Sequence, residues 1–598
     1  MITPMKKVTV LCLDALKDES LEMLRSMGIM HVVPLQTPKG NDYLAAKTAV
    51  QRVKKALDSL PEKASKEAKP LSEDGETLVT QIHSLILKRK SAEDSIQQMI
   101  LEIKKFSAFQ NLSPVQIQNL EAKGVCIRLY EAHKGHSPNP DGVAIVKDFG
   151  KGANGHSFAV INYGKTPVAV TDAADMGLPS ASLVDLRKKL EKTKKELIRC
   201  ENALSTIAAE RAKVQETLAC TTDEFNLKEA SSGMIEGAGV SLIQGYCPTP
   251  RLEELQKTAP KFGWGLKVED PSADDDVPTL LKEKKSVSSI QFLYDIIGIT
   301  PGYREVDTSA IFLLFFSIFF AMIVGDTAYG ILFLGLTLFA RKKFPKAKPQ
   351  GFWFMEIMSI ATIIWGFIND SFLGFNPAFM DLAQMSWTPE FLKNALLWIR
   401  VSANLQLFCF CIAITHLSIA HLWNFTVKLR QKSTTAIAQI GWLCTTWVMF
   451  FLAGFMVLNR PLPSFTIPLF VVGVVLLLLF RVPPSRLKED WISIPMLVLD
   501  LVSNFVDVVS YIRLFAVGMS GAAIAAAFNG MLSPLFGSFW GILAAAFILF
   551  FVHALNIALG VMGVAVHAVR LNTLEFSNHM ELQWSGYNFA PLSKHKSN

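Results

Sequence analysis

The chain has 598 residues, 50% of them hydrophobic and 19% charged, with a formal net charge of +7. From Thr308 onward there are 18 Lys+Arg and 11 Asp+Glu in 291 residues, about 10% charged, whereas residues 1–307 carry 41 of each sign, about 27% charged. This excludes a purely soluble enzyme, a secreted disulfide scaffold and a disordered chain, and a positive excess lying among apolar segments speaks of membrane orientation and not of nucleic acid.

Lys6 and Lys7 precede VTVLCLDAL, an apolar run broken by Asp14 and too short for a signal-peptide core with its cleavage site. It reads as a first β-strand. Residues 6–35 read strand, helix, strand, with Gly28 as the helix stop. Two heptad-like stretches follow. Leu78, Ile82, Leu85, Ala92, Ile96, Met99, Ile103 and Phe106 keep 3-4 spacing, with Arg89 as a break; residues 183–218 repeat it from Leu183 to Leu218, with Thr193 and Arg211 as breaks. Separated by a compact segment, they predict an antiparallel two-stranded coiled coil with a lobe at its tip; two amphipathic helices packed on a domain are the plainer alternative. The expected arm is residues 1–300. Its coil stretches are about 44–106 and 181–228, its distal lobe about 107–178, and its proximal lobe 1–40 plus 232–270. Residues 301–598 are the expected membrane domain. The fold class is thus an α+β soluble arm, two small α/β lobes joined by the coil, followed by an all-α polytopic domain.

Within the distal segment, AVINYGKT (159–166) fits a relaxed phosphate-loop pattern, but Val, Ile, Asn and Tyr occupy the positions that need glycine and Pro167 replaces a helix start. It reads as strand-turn-strand, and GKGANGHS (150–157) as a turn, so no nucleotide site is expected. The eight cysteines are sparse, which suits a reducing compartment, and Cys409-x-Cys411 lacks a second pair for zinc. No metal or cofactor is expected.

A spanning helix needs about 20 mostly apolar residues. Candidates lie at residues 310–324, 329–340, 352–368, 401–425, 436–458, 465–480, 494–532 and 540–574, about eight spans. With the first half inside, inner loops and tail carry thirteen cations: Arg341, Lys342, Lys343, Lys346, Lys348, Lys428, Arg430, Lys432, Arg481, Arg486, Lys488, Lys594 and Lys596. Outer loops carry Lys393, Arg400 and Arg460. That asymmetry predicts both termini in the cytoplasm. The last two spans are too long to stand upright, since about 36 residues make roughly 54 Å of helix against a core of about 30 Å, so tilting or protrusion is expected.

A charge at the bilayer centre costs roughly 2.5–3.5 kcal/mol on insertion scales, which makes intramembrane ionisable groups functional candidates. Arg513 lies deep in SYIRLFAVGMSGAAIAAAFN, preceded by Ser503, Asn504, Asp507, Ser510 and Tyr511 and followed by a Gly/Ala/Ser-rich stretch that permits close helix approach. The plain alternative pairs it with Asp507. His553, Asn556, Gly560, Gly563, His567 and Arg570 fall at steps of three or four on the last span, hence on one face. Arg570 lies nearer the inner end, where snorkelling is the alternative. Asp326, Glu356, Asp370, His416 and His421 read mostly as packing or interfacial groups. A guanidinium does not release its proton, but it favours the ionised form of a carboxylate on another subunit and drives off that carboxylate's proton or cation. This is the chemistry of an ion-translocating stator, with polar stripes as offset aqueous half-paths.

Four stretches resemble a known family, the membrane stator subunit of rotary V/A-type ATPases, called subunit a in V-type enzymes and subunit I in bacterial and archaeal complexes. They are VPTLLK (277–282) with PGYREVD (301–307), GDTAYG (325–330), SYIRLFAVG (510–518), and HAVRL (567–571) followed by Glu575-Phe576, Tyr587, Phe589 and Pro591. The resemblance implies a cytoplasmic arm that reaches peripheral stalk subunits of the E/G type, and an eight-helix half facing a rotating ring of carboxylate-bearing proteolipid subunits. It matches Arg513 to the arginine facing the ring and Arg570 to a second arginine on the last helix. Eukaryotic members carry an acidic residue about ten positions before that arginine. Here the position is Gly560, so the outer path falls to other groups such as His553 or Asn556. The implied setting is the cell (inner) membrane, with lipid as a partner and ATP chemistry on other subunits. A secondary ion-coupled transporter with a regulatory arm is the alternative function, but no internal repeat supports it. A membrane-anchored coiled-coil scaffold would not need Arg513 buried.

Overall fold

The computed structural model describes residues 2–61, 74–109, 112–132, 139–140, 144–151, 155–164, 168, 170–171, 173–237, 239–281, 287–345, 347–375, 381–482 and 493–594. Lys165, Thr166, Pro167, Lys282, Lys346, Arg486, Lys488 and Lys596, and positions 152–154 of the expected glycine-rich turn, lie outside the described residues. The chain forms two compact units, one of Lys7–Glu269 with the segment from Pro591, the other of Met1–Lys6 with Asp270–Ala590.

The first unit begins β1 (Met5–Leu13), α1 (Lys17–Met27), β2 (His31–Val33), the expected strand, helix and strand. Val8, Val10 and Cys12 alternate into the core with the period of two that a half-buried strand imposes. Gly28 takes φ 59° and its N–H bonds to Leu24 O, closing α1 in the left-handed conformation that glycine adopts without strain. Then come α2 (Asn41–Asp58), α3 (Gly75–Lys105), α4 (Pro114–Ala122), β3 (Val125–Ala132), β4 (Asn139–Pro140), β5 (Ile145–Lys151), β6 (His156–Tyr163), β7 (Val170–Thr171) and β8 (Ala173–Asp175). Residues 159–163 of the phosphate-loop lookalike lie inside β6, which pairs antiparallel with both β3 and β5. The second sheet runs β5-β6-β3-β8. The chain returns through α5 (Leu183–Ile207) and α6 (Arg211–Ser232) to β9 (Ile235–Gly237), β10 (Val240–Pro248), α7 (Leu252–Thr258) and β11 (Gly265–Glu269). The first sheet has the order β11-β1-β10-β2, with β9 on β10.

Helix α3 packs on α5 and α2 on α6. Met99 and Phe106 share one cluster with Leu183 and Leu186, and Leu78 and Ile82 another with Leu204 and Ile207, so α3 and α5 run antiparallel. The stretch expected to be continuous over 181–228 is broken by a 3-10 turn at Ala208–Glu210. There Arg211, a break in the heptads, donates to the Leu60 carbonyl, and Val53, Ala56 and Val214 join the same core. Four helical segments meet at this point, one more pair than a two-stranded coil supplies.

The second unit contains α8 (Ile290–Ile297), α9 (Ser309–Val324), α10 (Thr327–Lys343), α11 (Pro349–Asn369), α12 (Glu390–Ile399), α13 (Ser402–Arg430), α14 (Ala436–Leu458), α15 (Thr466–Phe480), α16 (Ser493–Ser510), α17 (Ile512–Leu532), α18 (Phe539–Gly563) and α19 (Ser577–Met580). Each expected span falls on a helix, but the count of eight is not carried by length. Five helices among the described residues are long and apolar enough to cross a membrane: α11, α13, α14, Pro495–Gly537 and Phe539–Met580. The others, α9, α10 and α15, have 16, 17 and 15 residues, short of the roughly 20 that a perpendicular span needs. The two long segments have 43 and 42 residues. The first is interrupted at Tyr511, between α16 and α17. The second passes from α18 into wide π turns at Val564–Ala568 and Leu571–Phe576.

Aromatic side chains dominate this core: Phe312, Phe319, Phe410, Tyr511 and Phe576 are almost completely buried. His416 lies in it too, stacked between Phe315 and Phe576 at centroid distances of 3.9 and 4.3 Å. Gly325 ends α9 at φ 69°. Asp326 caps α10, its Oδ1 accepting from the N–H groups of Ala328 and Tyr329. Its Oδ2 accepts from Ser371 Oγ and Gly374 N–H. Helices α9 and α17 touch where Gly518 faces Met322, and a Cβ on Gly518 would lie 2.3 Å from the Met322 carbonyl oxygen.

Candidate functional site

Arg513 lies in the first turn of α17, just past the interruption at Tyr511. Its Nε donates to the Ser510 carbonyl at 2.9 Å, which folds the side chain back toward α16. Its Nη2 lies 2.7 Å from Glu575 Oε1. Arg570 Nε lies 3.3 Å from the same oxygen. Glu575 is 2% exposed, against 25% for the Arg513 side chain and 51% for Arg570. One buried carboxylate oxygen therefore holds two guanidinium groups, one partly buried and one half exposed. The Arg513 contact is a short, charge-assisted hydrogen bond, and the Arg570 contact is a longer ion pair.

This overturns the alternative that paired Arg513 with Asp507. Asp507 Oδ2 instead lies 3.2 Å from His579 Nε2. The sequence reading passed over Glu575 as a site residue because it stands five positions after Arg570. In an α-helix that spacing does not share a face. Here Leu571–Phe576 is a π turn with i→i+5 geometry, and the wide turn returns Glu575 to Arg570. The only trace in the sequence is the place of Glu575 in the fourth family stretch.

On the last long segment, His553 and Asn556 both meet Tyr329. His553 Nδ1 lies 2.8 Å from Tyr329 Oη. Asn556 Nδ2 donates to the Gly521 carbonyl at 2.9 Å and to Tyr329 Oη at 3.1 Å. Gly521 and Gly563 let α17 and α18 approach, and a Cβ on Gly521 would stand 3.0 Å from Asn556 Oδ1. His567 is half buried, and the Arg570 side chain is half exposed while its Nε stays 3.3 Å from Glu575 Oε1.

A second polar group lies around α13, α14, α16 and α19. A cavity of about 550 Å³ is lined by His421, Gln439, Arg481, Asp500, Asp507 and His579, together with Ser503, Asn504, Lys428 and Glu581. His579 Nδ1 lies 2.8 Å from His421 Nε2. His421 Nδ1 lies 3.0 Å from Gln439 Oε1. Gln439 Nε2 donates to Glu581 Oε1 at 2.9 Å, and Lys428 Nζ donates to that oxygen at 2.6 Å. Arg481 pairs with Asp500. Asn504 is anchored on α14 by Thr445 and Thr446, while Ser503 is exposed. His421, read from sequence as packing, thus belongs to a polar chain that reaches Asp507, six residues before Arg513. His579, Gln439, Glu581 and Tyr329 were missed, because the partners of each lie on helices distant in sequence.

The remaining candidates are structural in their contacts. Glu356 pairs with Arg341 at 2.7 Å, Asp326 caps α10 as above, and Asp370 ends α11 at φ 53°. His416 Nδ1 lies 2.8 Å from Tyr511 Oη, inside the aromatic core.

No family model matches the chain. It is 29% identical to the V-type ATP synthase subunit I of Borreliella burgdorferi, over 100% of both chains. It is 28% identical to the V-type ATP synthase subunit I 1 of Treponema pallidum, over 99% of this chain and 100% of that one. From end to end the chain resembles subunit I of the V-type ATP synthases. An A-type ATP synthase subunit I from Pyrococcus horikoshii is 24% identical over 56% of this chain and 51% of its own. Among solved structures, the cytoplasmic N-terminal domain of a V-ATPase subunit I matches 44% of this chain and 99% of its own, at 13% identity and a TM-score of 0.21. With these two subunit I relatives aligned over their whole length and five helices among the described residues apolar enough to span, the chain is a multi-pass membrane protein.

Proposed function

We propose that the chain is the membrane stator subunit of a rotary V/A-type ATPase, forming with a proteolipid ring the path by which ions cross and rotation is coupled to ATP synthesis or hydrolysis. The full-length likeness to subunit I relatives carries this reading. The Arg513–Glu575–Arg570 arrangement supports the chemistry. Arg513 is fixed in place and stays charged, and it is a partner for carboxylates carried past it. A carboxylate facing it is stabilised in its ionised form and gives up its bound ion. Before that carboxylate arrives, Glu575 holds the guanidinium in position.

The two long segments have the surface such a role needs. Only 22% of the apolar window of Pro495–Gly537 and 17% of that of Phe539–Met580 is buried within the chain, against 56% for α13. Small residues, Ala516, Ser520, Ala523, Ala526 and Ala527, are exposed along α17. A stripe of small side chains admits another helix closely, and we assign it to the ring. Asp507, His579 and the cavity around them serve as the inner approach to Arg513, and His553, Asn556 and His567 as the outer one. The first unit is the cytoplasmic arm, two α/β lobes joined by the helices α2, α3, α5 and α6, and it reaches the peripheral stalks. This chain binds no nucleotide, the catalytic work lies on other subunits, and both termini face the cytoplasm of a cell membrane.

The decisive experiment replaces Arg513 by Ala in the intact complex. The expected result is loss of ATP-driven ion transport while the complex still assembles, with proteolipid and stalk subunits co-purifying. Transport at the wild-type rate would overturn the reading.

A further inference from the structure

Resting on the stator reading, we infer that the Asp507–His579 pair is the proton-loading site of the inner cavity, that His421 is its positioning residue, and that the transported ion is therefore H⁺. The inference follows from the hydrogen-bond chain, in which each donor fixes the next.

Glu581 starts it. Its carboxylate accepts from Lys428 and is acceptor-only. Gln439 must therefore present its amide nitrogen to Glu581, which turns its oxygen toward His421. An amide oxygen only accepts, so His421 carries its proton on Nδ1. The Nε2 of a neutral His421 is then a lone pair, and it can only accept, from His579 Nδ1–H at 2.8 Å. That fixes the tautomer of His579 in turn, since the hydrogen bond at one ring nitrogen decides the state of the other. His579 Nε2 is left as the basic nitrogen, 3.2 Å from Asp507 Oδ2.

With both groups deprotonated there, a lone pair faces a carboxylate oxygen. One proton between them turns this contact into a hydrogen bond. The pair therefore has a vacancy for one proton, and the rest of the chain aims that vacancy at Asp507. In transport, a proton from water in the cavity enters between Nε2 and Oδ2. It leaves for the carboxylate of the passing ring subunit near Arg513, and the pair returns to neutral imidazole and carboxylate. Nothing is consumed. Hard cations such as Na⁺ are held by sets of oxygen ligands. The gap offers one carboxylate oxygen opposite a ring nitrogen, which suits a proton. The other charges facing the cavity are Lys428, Glu581, Arg481 and Asp500, and the first two and the last two are already paired with each other.

The test uses the intact complex in inverted membrane vesicles, with ATP-driven acidification followed by a pH-sensitive dye and sodium uptake followed with radioactive Na⁺. The wild-type complex is expected to acidify without added Na⁺ and to take up no Na⁺ when a protonophore is present. H579A is expected to lower the acidification rate on the order of 100-fold, the scale of a lost proton-transfer group, and added imidazole is expected to restore part of it. D507E should retain more transport than D507N, whose amide cannot take the proton. H421Q should lower the rate on its own, and added to H579A it should leave the imidazole rescue unchanged, because His421 acts only by orienting His579. Protonophore-resistant Na⁺ uptake by the wild type, or H579A pumping at the wild-type rate, would overturn the inference and leave the stator reading standing, provided Arg513→Ala abolishes transport. Wild-type rates in Arg513→Ala would overturn both.

Discussion

Glu575 is the residue on which the charges of this site converge, and its burial sets what each partner contributes. Its carboxylate is 2% exposed and takes both arginines through one oxygen. Removing it leaves the partly buried Arg513 without a counter-charge, which costs about 3 kcal/mol by the measure of broken buried pairs. Removing Arg570, half exposed, costs at most about 1 kcal/mol, because water screens that pair and Arg513 still neutralises the carboxylate. The expected outcome is a clearly lower thermal unfolding midpoint for Glu575→Ala than for Arg570→Ala, measured on the detergent-purified chain. Equal midpoints would refute the shared-carboxylate arrangement. Sequence spacing reached Arg513 and Arg570, because charged groups in apolar runs stand out by composition. It could not reach their partner. Asp507 is six residues from Arg513, about 120° round an α-helix and so off its face, and Glu575 is brought round only by a π turn that no residue pattern announces.

At the scale of elements, close approach of backbones decides where the polar groups fall. Helices α9 and α17 meet through Gly518, with the Met322 carbonyl where a Cβ would stand. This contact holds the start of α17, and so Arg513, against the buried aromatic core. Substituting Leu at Gly518 must push the helices apart. Overpacking of this kind costs typically 1–3 kcal/mol, and the shift carries Arg513 away from Glu575. Ion-coupled ATP turnover in the assembled complex is expected to fall sharply for Gly518→Leu and less for Gly518→Ala. Unchanged coupling in the Leu variant would show that the α9–α17 contact does not position the site. The elements themselves were legible because apolar runs and alternating strands follow from burial alone. The number of spans was not, because α9 and α15 are apolar like the others but stop at 16 and 15 residues, and α10 stops at 17 with three cations in its last turn. The broken coil near Ala208 was hidden for a related reason, since heptad spacing continues across a 3-10 turn that only the packing of a third and fourth helix reveals.

For the whole molecule, the uneven charge noted at the outset becomes a statement about direction. The Lys and Arg of residues 308–598 fall mostly in one set of connections, and such a bias orients a polytopic chain because basic loops stay in the cytoplasm. The bias also decides which compartment the two polar approaches serve. Lys428 and Arg481 stand at the cavity that holds Asp507 and His579, at the ends of α13 and α15, and both belong to the cation-rich connections. The turn between α14 and α15 carries Arg460 as its one cation. If the bias orients the chain, that turn is outside, and the histidine cavity opens to the cytoplasm. Single cysteines at the exposed positions Ser464, in the α14–α15 turn, and Lys342, at the end of α10, test this in a background with the native cysteines replaced. A membrane-impermeant maleimide is expected to label S464C in intact cells and K342C only after permeabilisation. The reverse pattern would invert the chain, and protons loaded at Asp507–His579 would then come from the opposite side of the membrane.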